Sequence, residues 1–354
     1  MTGTAQILHS DSRALPITDN TVDLVVTSPP YFGLRSYQDG GEHYAGQIGN
    51  EATPGEFIDS LIEVVRECVR VLKPTGSLWV NLGDTYRERA LMGIPWRFAL
   101  ACAGVGEFPC DLARELVWDV FSGAITAEEA QGAIDSWDEG LGLKLRAEVI
   151  WAKTDGLPSA ANDRVRRTHE HWFHFAVSDE TYSDLDEIRS PYEGEPQRRF
   201  SSRIKDRTTE GRPVGEWSPV WAEQISGENQ LGKVPGSVWG AATSKFVAPS
   251  HIEVAHFAAF PTYFPNRIIR GWCPEGGTVL DPFGGTGTTA LVAKALGRHG
   301  ISVDMSADYC RLAEWRTNDP KQLAKAAGKA FAASEAPIEG QSDLLDLLST
   351  DAAS

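Results

Sequence analysis

Residues 22–31 read Val22-Asp23-Leu24-Val25-Val26-Thr27-Ser28-Pro29-Pro30-Tyr31. Val22–Val26 has the apolar, β-branched pattern of a short buried strand, and the residues after it dictate how that strand ends. Two successive prolines fix φ and remove two backbone donors, so the chain must leave the sheet in a rigid extended turn. Ser28 and Tyr31 are thereby held outside the carboxyl end of a strand, which is where ligands bind in open α/β sheets. A polar turn stiffened in this way beside an aromatic ring suits a planar polar group, such as a base drawn out of its stack. Pro-Pro alone is as readily an ordinary strand-ending turn; the whole pentapeptide after an apolar strand is far more specific.

Working outward, strand and helix patterns alternate. Thr4–Leu8 is a second β-rich run, joined to Val22–Val26 by a polar turn around Asp11 and Asp19-Asn20. Phe57, Leu61, Val64, Val65, Cys68, Val69 and Leu72 recur at helical spacing and predict an amphipathic helix over Glu56–Leu72. Lys73-Pro74-Thr75-Gly76 ends it, and Ser77–Leu82 is the next buried strand. Strand–helix–strand in that order implies parallel strands joined by a right-handed crossover. Further strands are predicted at Leu143–Trp151, near Trp172–Val177, at Thr278–Asp281 and at Gly300–Asp304. Helices are predicted over 93–101, Thr288–Leu296 and Ser306–Trp315, with a short Lys/Ala helix after Pro320. Residues 104–142 have the composition of an inserted acidic helical segment. From about Ser178 to Gly236 the chain is polar, Arg-rich and aperiodic, and too long to be a simple connection.

The second informative stretch is Asp281-Pro282-Phe283-Gly284-Gly285-Thr286-Gly287-Thr288, where a strand turns into a helix through three glycines. Small residues there let a ligand approach the backbone, and the helix N-terminus adds free N–H groups and a positive dipole end. Asp304 follows at the carboxyl end of the next strand, placed to hydrogen-bond both hydroxyls of a ribose. Gly285 through Ala290 also satisfies G-x-G-x-x-G/A, so on this segment alone NAD and S-adenosylmethionine are comparable ligands.

Thr27-Ser28-Pro29-Pro30-Tyr31 resembles the catalytic motif of the amino DNA methyltransferases, which methylate cytosine N4 or adenine N6. Asp281–Thr288 resembles their cofactor loop, and Asp281-Pro282-Phe283 ahead of the glycines favours S-adenosylmethionine over NAD. The catalytic motif precedes the cofactor loop, an order similar to the permuted beta group of the family. The resemblance implies an α/β fold: a Rossmann-like sheet with circularly permuted motif order and an inserted target-recognition region. It implies Phe283 beside the cofactor with Gly284, Gly285, Thr286 and Gly287, and Asp281 near the amino-acid part of the cofactor. It also implies Asp11 near the adenine, although a turn-forming aspartate fits that position equally well. His256–Pro261 is similar to the motif preceding the cofactor loop in the permuted group, which brings Phe260 and Pro261 to the methionine end. Val149–Lys153 through Arg167–Glu170 resembles a family stretch linking the catalytic half to target recognition.

The chemistry explains the residue types. An exocyclic amine is a poor nucleophile because its lone pair is conjugated with the ring. An acceptor aimed at its N–H favours a pyramidal nitrogen and takes up developing charge. Ser28 Oγ and the Pro29 carbonyl, oriented by Pro30, fit that role; Tyr31 would stack on the flipped base, with Phe32 as a helper. A serine opening the motif is more typical of cytosine-N4 enzymes, whereas adenine enzymes more often carry Asp or Asn, so cytosine N4 is favoured and adenine N6 is the alternative. No G-x-S-x-G elbow surrounds Ser28, which argues against a hydrolase. His169-Glu170-His171 with His174 is not H-E-x-x-H, and no metal is expected.

The formal net charge of −16 argues against bulk attraction to nucleic acid. Locally, Arg198, Arg199, Arg203, Lys205, Arg207 and Arg212 face only Asp206 and Glu210 within 197–214, and Arg164, Arg166 and Arg167 form a second knot. Such a stripe neutralises phosphates whatever the total charge. The expected partner is double-stranded DNA, with a companion restriction endonuclease as a candidate; the chain is expected to be a monomer or homodimer. Five scattered cysteines without C-x-x-C, no apolar run of membrane length and no signal-like N-terminus lead to the expectation of a cytoplasmic protein without disulfides.

The expected organisation is a catalytic half over 1–177, a target-recognition region over 178–236, a cofactor-binding half over 237–318, and a short helix with a frayed tail over 319–354. The rivals are an NAD-dependent oxidoreductase, which leaves Thr27–Tyr31 unexplained, a protein that binds nucleic acid without turnover, and the same chemistry on RNA.

Overall fold

The computed structural model describes residues 3–33, 38–39, 42–43, 46–104, 117–131, 141–155, 162–190, 231–244, 246–249, 252, 254 and 259–328. Its centre is an eight-stranded sheet. The strands are β1 (Thr4–His9), β2 (Val22–Thr27), β5 (Leu72–Leu82), β8 (Lys144–Lys153), β9 (His169–Ala176), β10 (Val238–Ala241), β11 (Thr278–Asp281) and β12 (His299–Asp304). Two small hairpins, β3 (Gln38–Asp39) with β4 (Glu42–His43) and β6 (Tyr86–Arg87) with β7 (Ala90–Leu91), complete the numbering. The order across the sheet is β1-β12-β11-β2-β5-β9-β8-β10, and β9 alone runs against the others.

β2 sits near the middle and is buried on both faces, as its apolar run requires. Val22 and Val25 enter one core with Phe57, Leu61, Phe98, Phe173 and Phe175. Leu24 and Val26 enter the other with Trp79, Trp172, Phe264, Ile268 and Leu291. The first core is closed by α1 (Pro54–Val71) and α2 (Ile94–Ala103), the second by α3 (Tyr263–Trp272), α4 (Thr288–Ala295) and α6 (Pro320–Ala327). α5 (Ala307–Asn318) follows β12.

α1 starts where its chemistry says it should. Thr53 Oγ1 accepts from Glu56 N and the Glu56 carboxylate accepts from Thr53 N, a capping box contributing about 1 kcal/mol. The helix then passes directly into β5. The predicted break at Lys73–Gly76 is an irregularity within the strand: Val22 pairs with Leu72 but Leu24 pairs with Ser77, so the intervening residues bulge out of the ladder. β9 begins three residues before the predicted Trp172. β10 and α3 were not predicted. β10 is four residues long, and α3 carries Pro265 in its first turn and buries Asn266 and Arg267. Within 104–142, helical turns occur at 117–122 and 127–131, and 105–116 and 132–140 lie outside the described residues, as does the tail beyond 328. Among the described residues no helix is long and apolar enough to cross a membrane.

The chain divides into two compact units, Met1–Tyr182 with Ser237–Ser354, and Ser183–Gly236. In the second, a 3₁₀ turn at Leu185–Ile188 and a bridge between Ser190 and Lys233 are described, with Arg189 bonding the Gly232 carbonyl.

Candidate active site

β11 and β2 are parallel neighbours whose chains leave in opposite directions, β11 through α4 to β12 and β2 through α1 to β5. This reversal opens a crevice outside their carboxyl ends. A cleft of about 830 Å³, partly open to solvent, occupies that place. Ser28 and Pro30 line it from the β2 side, and Phe283, Gly285, Thr286 and Asp304 from the β11 and β12 side. Asp11 lines it as well, after β1. The two motifs that lie about 250 residues apart in sequence thus share one cavity.

Each wall has a local cause. Gly284 has no room for a side chain, since a Cβ there would fall 1.8 Å from Ser302 Oγ on β12. Gly287 takes a left-handed φ of 71° as the N-cap of α4 and packs against Ala313 of α5. Asp304 Oδ2 accepts from Gly285 N and Oδ1 from Ser306 N, both at 2.8 Å, so the acidic side chain is held at the pocket wall. Asp11 is both turn-former and pocket residue. It accepts from the Arg13 backbone N–H at 2.9 Å and forms an ion pair with the Arg13 guanidinium, whose hydrogen bonds hold its carboxyl below the usual range. A Cβ on Gly285 would meet only Phe283 O, at 3.9 Å, so this glycine leaves open space beside Asp304. An acidic acceptor, an aromatic ring and an open glycine backbone fit the nucleoside part of S-adenosylmethionine.

Asp281, expected near the amino-acid part of the cofactor, is engaged by the protein itself. It is 1% exposed and absent from the pocket wall. Thr27 Oγ1 and Thr289 Oγ1 each donate to it at 2.7 Å, and Phe283 N at 3.1 Å. It therefore fastens the end of β2 to the first turn of α4. Burial pushes its pKa up to about 6, opposed by these hydrogen bonds. A carboxyl with a raised folded-state pKa adds stability that is full below the unfolded value of 3.8 and lost as pH rises through about 6. Asp281→Asn should abolish this dependence. Its stability relative to the parent should improve by about 2–3 kcal/mol between pH 4 and pH 7 in denaturant titrations, and parallel curves for the two proteins would refute the assignment.

Gly284 and Gly287 act as packing elements rather than pocket wall. Phe260 packs edge-on against Trp172 at 5.5 Å, and neither it nor Pro261 lines the cleft. The upstream motif residues 255–258 lie outside the described residues. Sequence reasoning missed Gln47, Ile48, Met305 and Tyr309, which also line the wall; Met305 and Tyr309 follow Asp304 closely enough that the strand-end rule could have included them. It also missed Arg316 of α5, 4% exposed, whose Nη1 donates to Thr286 Oγ1 at 2.7 Å and Thr288 Oγ1 at 2.8 Å and so braces the glycine loop.

On the catalytic side, Ser28 Oγ donates to Asn81 Oδ1 at 3.2 Å. The Tyr31 hydroxyl lies 2.8 Å from the same oxygen and 2.7 Å from Glu170 Oε2, and Lys153 Nζ pairs with Glu170 Oε1. Asn81 Nδ2 donates to the His171 carbonyl. The Tyr31 ring rests on Gly83, where a Cβ would come within 2.5 Å of Cε2. Pro29 and Tyr31 do not line the cleft described above. Phe32 is not beside them: it is buried in the α1-side core, 5.5 Å from the Phe57 ring.

The histidines divide by strand alternation. His169 and His171 share one face of β9 with Phe173, while His174 is on the other, stacked on Trp79 at 4.5 Å and pushed down to about 3 by burial. These three cannot converge on one ion. Arg166 is exposed and Arg167 half-buried just before β9, and Arg164 covers the Tyr86 ring at 4.2 Å. Arg198, Arg199, Arg203, Lys205 and Arg207 lie outside the described residues.

The sequence profile of the DNA methylase family, the N6/N4 methyltransferases, matches residues 22–315. The chain is 28% identical over 342 residues to Type II methyltransferase M.SmaI of Serratia marcescens, covering 88% of this chain and 90% of that protein. It is 27% identical over 330 residues to Type II methyltransferase M.XycI of Xanthomonas campestris pv. cyanopsidis, covering 85% and 82%. Among solved structures, PvuII DNA methyltransferase (cytosine-N4-specific) aligns over 94% of both chains with a TM-score of 0.58 at 19% identity, a likeness of fold.

Proposed function

We propose, from the premise that this chain belongs to the N6/N4 DNA methylase family, that it methylates cytosine N4 at a specific site in duplex DNA. The protein is a DNA amino-methyltransferase and its cofactor is S-adenosylmethionine. The observation that carries the finer reading is Ser28, which lines the same cleft as Asp304 and Gly285.

The residues assigned to hold the cofactor are Asp304, Asp11, Phe283 and Thr286. When bound, S-adenosylmethionine supplies an electrophilic sulfonium methyl group. Ser28 directs its own proton to Asn81, which leaves its lone pairs to accept an amine N–H. The Pro29 carbonyl, fixed by Pro30, is the second acceptor, and Tyr31 is the platform for the flipped base. The amine attacks in line without a covalent enzyme intermediate, so positioning supplies most of the acceleration. Ser28 is a neutral hydroxyl where adenine enzymes more often carry Asp or Asn, and this favours cytosine. Arg166, Arg167 and the Arg-rich stretch 197–214 are assigned to DNA phosphates. The Type II names of the relatives make a companion restriction endonuclease the partner to look for.

Incubating unmethylated DNA with methyl-labelled S-adenosylmethionine and digesting it to nucleosides tests this directly. Mass spectrometry should find label in 4-methylcytosine. Label in 6-methyladenine would keep the mechanism and overturn the base assignment, and no label in either would point to RNA or to binding without turnover.

A further inference from the structure

Behind the catalytic turn, one polar residue from each of three adjacent strands converges on Tyr31. Asn81 is the penultimate residue of β5, Glu170 is the second residue of β9, and Lys153 ends β8, and these strands lie side by side in the order β5-β9-β8. The antiparallel course of β9 is what makes this work. Its first residues, rather than its last, arrive at the carboxyl edge of the sheet, so Glu170 pairs with Trp151 and stands one step beyond the Leu82–His171 pair. The Glu170 side chain is 9% exposed and the Lys153 side chain 23%. A charged pair buried to this depth is costly to desolvate, and an apolar pair of similar volume serves a scaffold at least as well. Its retention calls for a task.

The geometry supplies one. The Tyr31 hydroxyl has a single proton placed between Glu170 Oε2 at 2.7 Å and Asn81 Oδ1 at 2.8 Å. A three-centre bond of this kind fixes both the tilt and the rotation of the ring, and Lys153 Nζ on Glu170 Oε1 anchors the carboxylate that accepts it. Gly83 closes the ring from one side.

We propose that Glu170, braced by Lys153, is a positioning residue that sets the plane of the Tyr31 ring for the incoming base. The inference rests on the reading of Tyr31 as the base platform. Glu170 acts through the Tyr31 hydroxyl alone, so the two side chains form one functional unit.

A double-mutant cycle tests it, with single-turnover methylation of unmethylated DNA and S-adenosylmethionine affinity measured on each variant. Glu170→Ala and Tyr31→Phe should each slow transfer roughly 10- to 100-fold, the range of a lost charge-assisted hydrogen bond, with cofactor affinity unchanged. Glu170→Gln, which keeps an acceptor, should recover part of the rate. In the Tyr31→Phe background, Glu170→Ala should add nothing further. Full additivity of the two losses, or a Glu170→Gln rate no better than Glu170→Ala, would overturn the proposal. Retained cofactor affinity reports folding, and where Glu170→Ala fails to fold, Glu170→Gln and Tyr31→Phe complete the same cycle. Tyr31→Ala separates the premise: it should fall well below Tyr31→Phe if the ring is the platform, and a rate equal to Tyr31→Phe removes the platform reading whatever the cycle shows.

Discussion

Ser28→Ala lowers single-turnover methyl transfer by about 100- to 1,000-fold while leaving S-adenosylmethionine affinity intact; this is the expected result for removing one preorganised acceptor from a site of charge development. The amine carries positive charge only as its bond to the methyl carbon forms, so the missing acceptor is felt in the transition state and hardly in binding. Ser28 is placed for this by the prolines that follow it and by Asn81, which takes its proton. Asn81→Ala should therefore reproduce part of the loss, because a serine hydroxyl without its own acceptor turns its proton toward the amine. Rapid-quench measurement at saturating cofactor separates the rate from affinity. A loss below threefold would leave the Pro29 carbonyl as the working acceptor and remove Ser28 from the mechanism.

Asp304→Ala should weaken S-adenosylmethionine binding by roughly 100-fold or more, the cost of two hydrogen bonds to a charged acceptor. The cost has a second source within the protein. Asp304 also accepts from Gly285 N and Ser306 N, so its removal frees the glycine loop beside it. Asp304→Asn, which keeps one carbonyl acceptor, should fall between the two. Calorimetry on the apo protein reads this directly, and normal affinity in Asp304→Ala would sink the ribose assignment.

The parts of this molecule that could be read from the chain are those governed by neighbouring residues. A proline pair ends β2, three glycines turn β11 into α4, and an aspartate ends β12; each rule operates over a few residues, and the structure gathers Ser28, Gly285 and Asp304 around one cleft. Lys153 and Glu170 stood in a stretch the resemblance marked, but their meeting with Asn81 at Tyr31 was not legible, because nothing near them in sequence announces that β5, β9 and β8 stand side by side. Arg316 was hidden for the same reason, reaching the glycine loop from a helix about thirty residues later. α3 is short and carries Pro265 in its first turn, where a proline reads as a break; within it Arg267 lies over the Trp239 ring at 4.6 Å and donates to Tyr263 Oη, and Asn266 donates to the Ala326 carbonyl. The grip of Thr27 and Thr289 on Asp281 was not legible either, since a motif says which loop a residue belongs to and not which way its side chain turns.

The seam closed by Asp281 makes the site a ruler. The two sequence motifs leave adjacent strands, β2 and β11, and threonines from both sides grip one carboxylate between them. The separation of the two motifs at the sheet edge is therefore a sheet dimension, set by a strand spacing of about 4.8 Å, and not by where a loop comes to rest. A pyrimidine and a purine present their amines at different distances from the sugar, yet both must bring nitrogen to the same graduation. A change of target base in such a scaffold has to be made on the far side of the base, where its ring and sugar are held, with the seam left as it is.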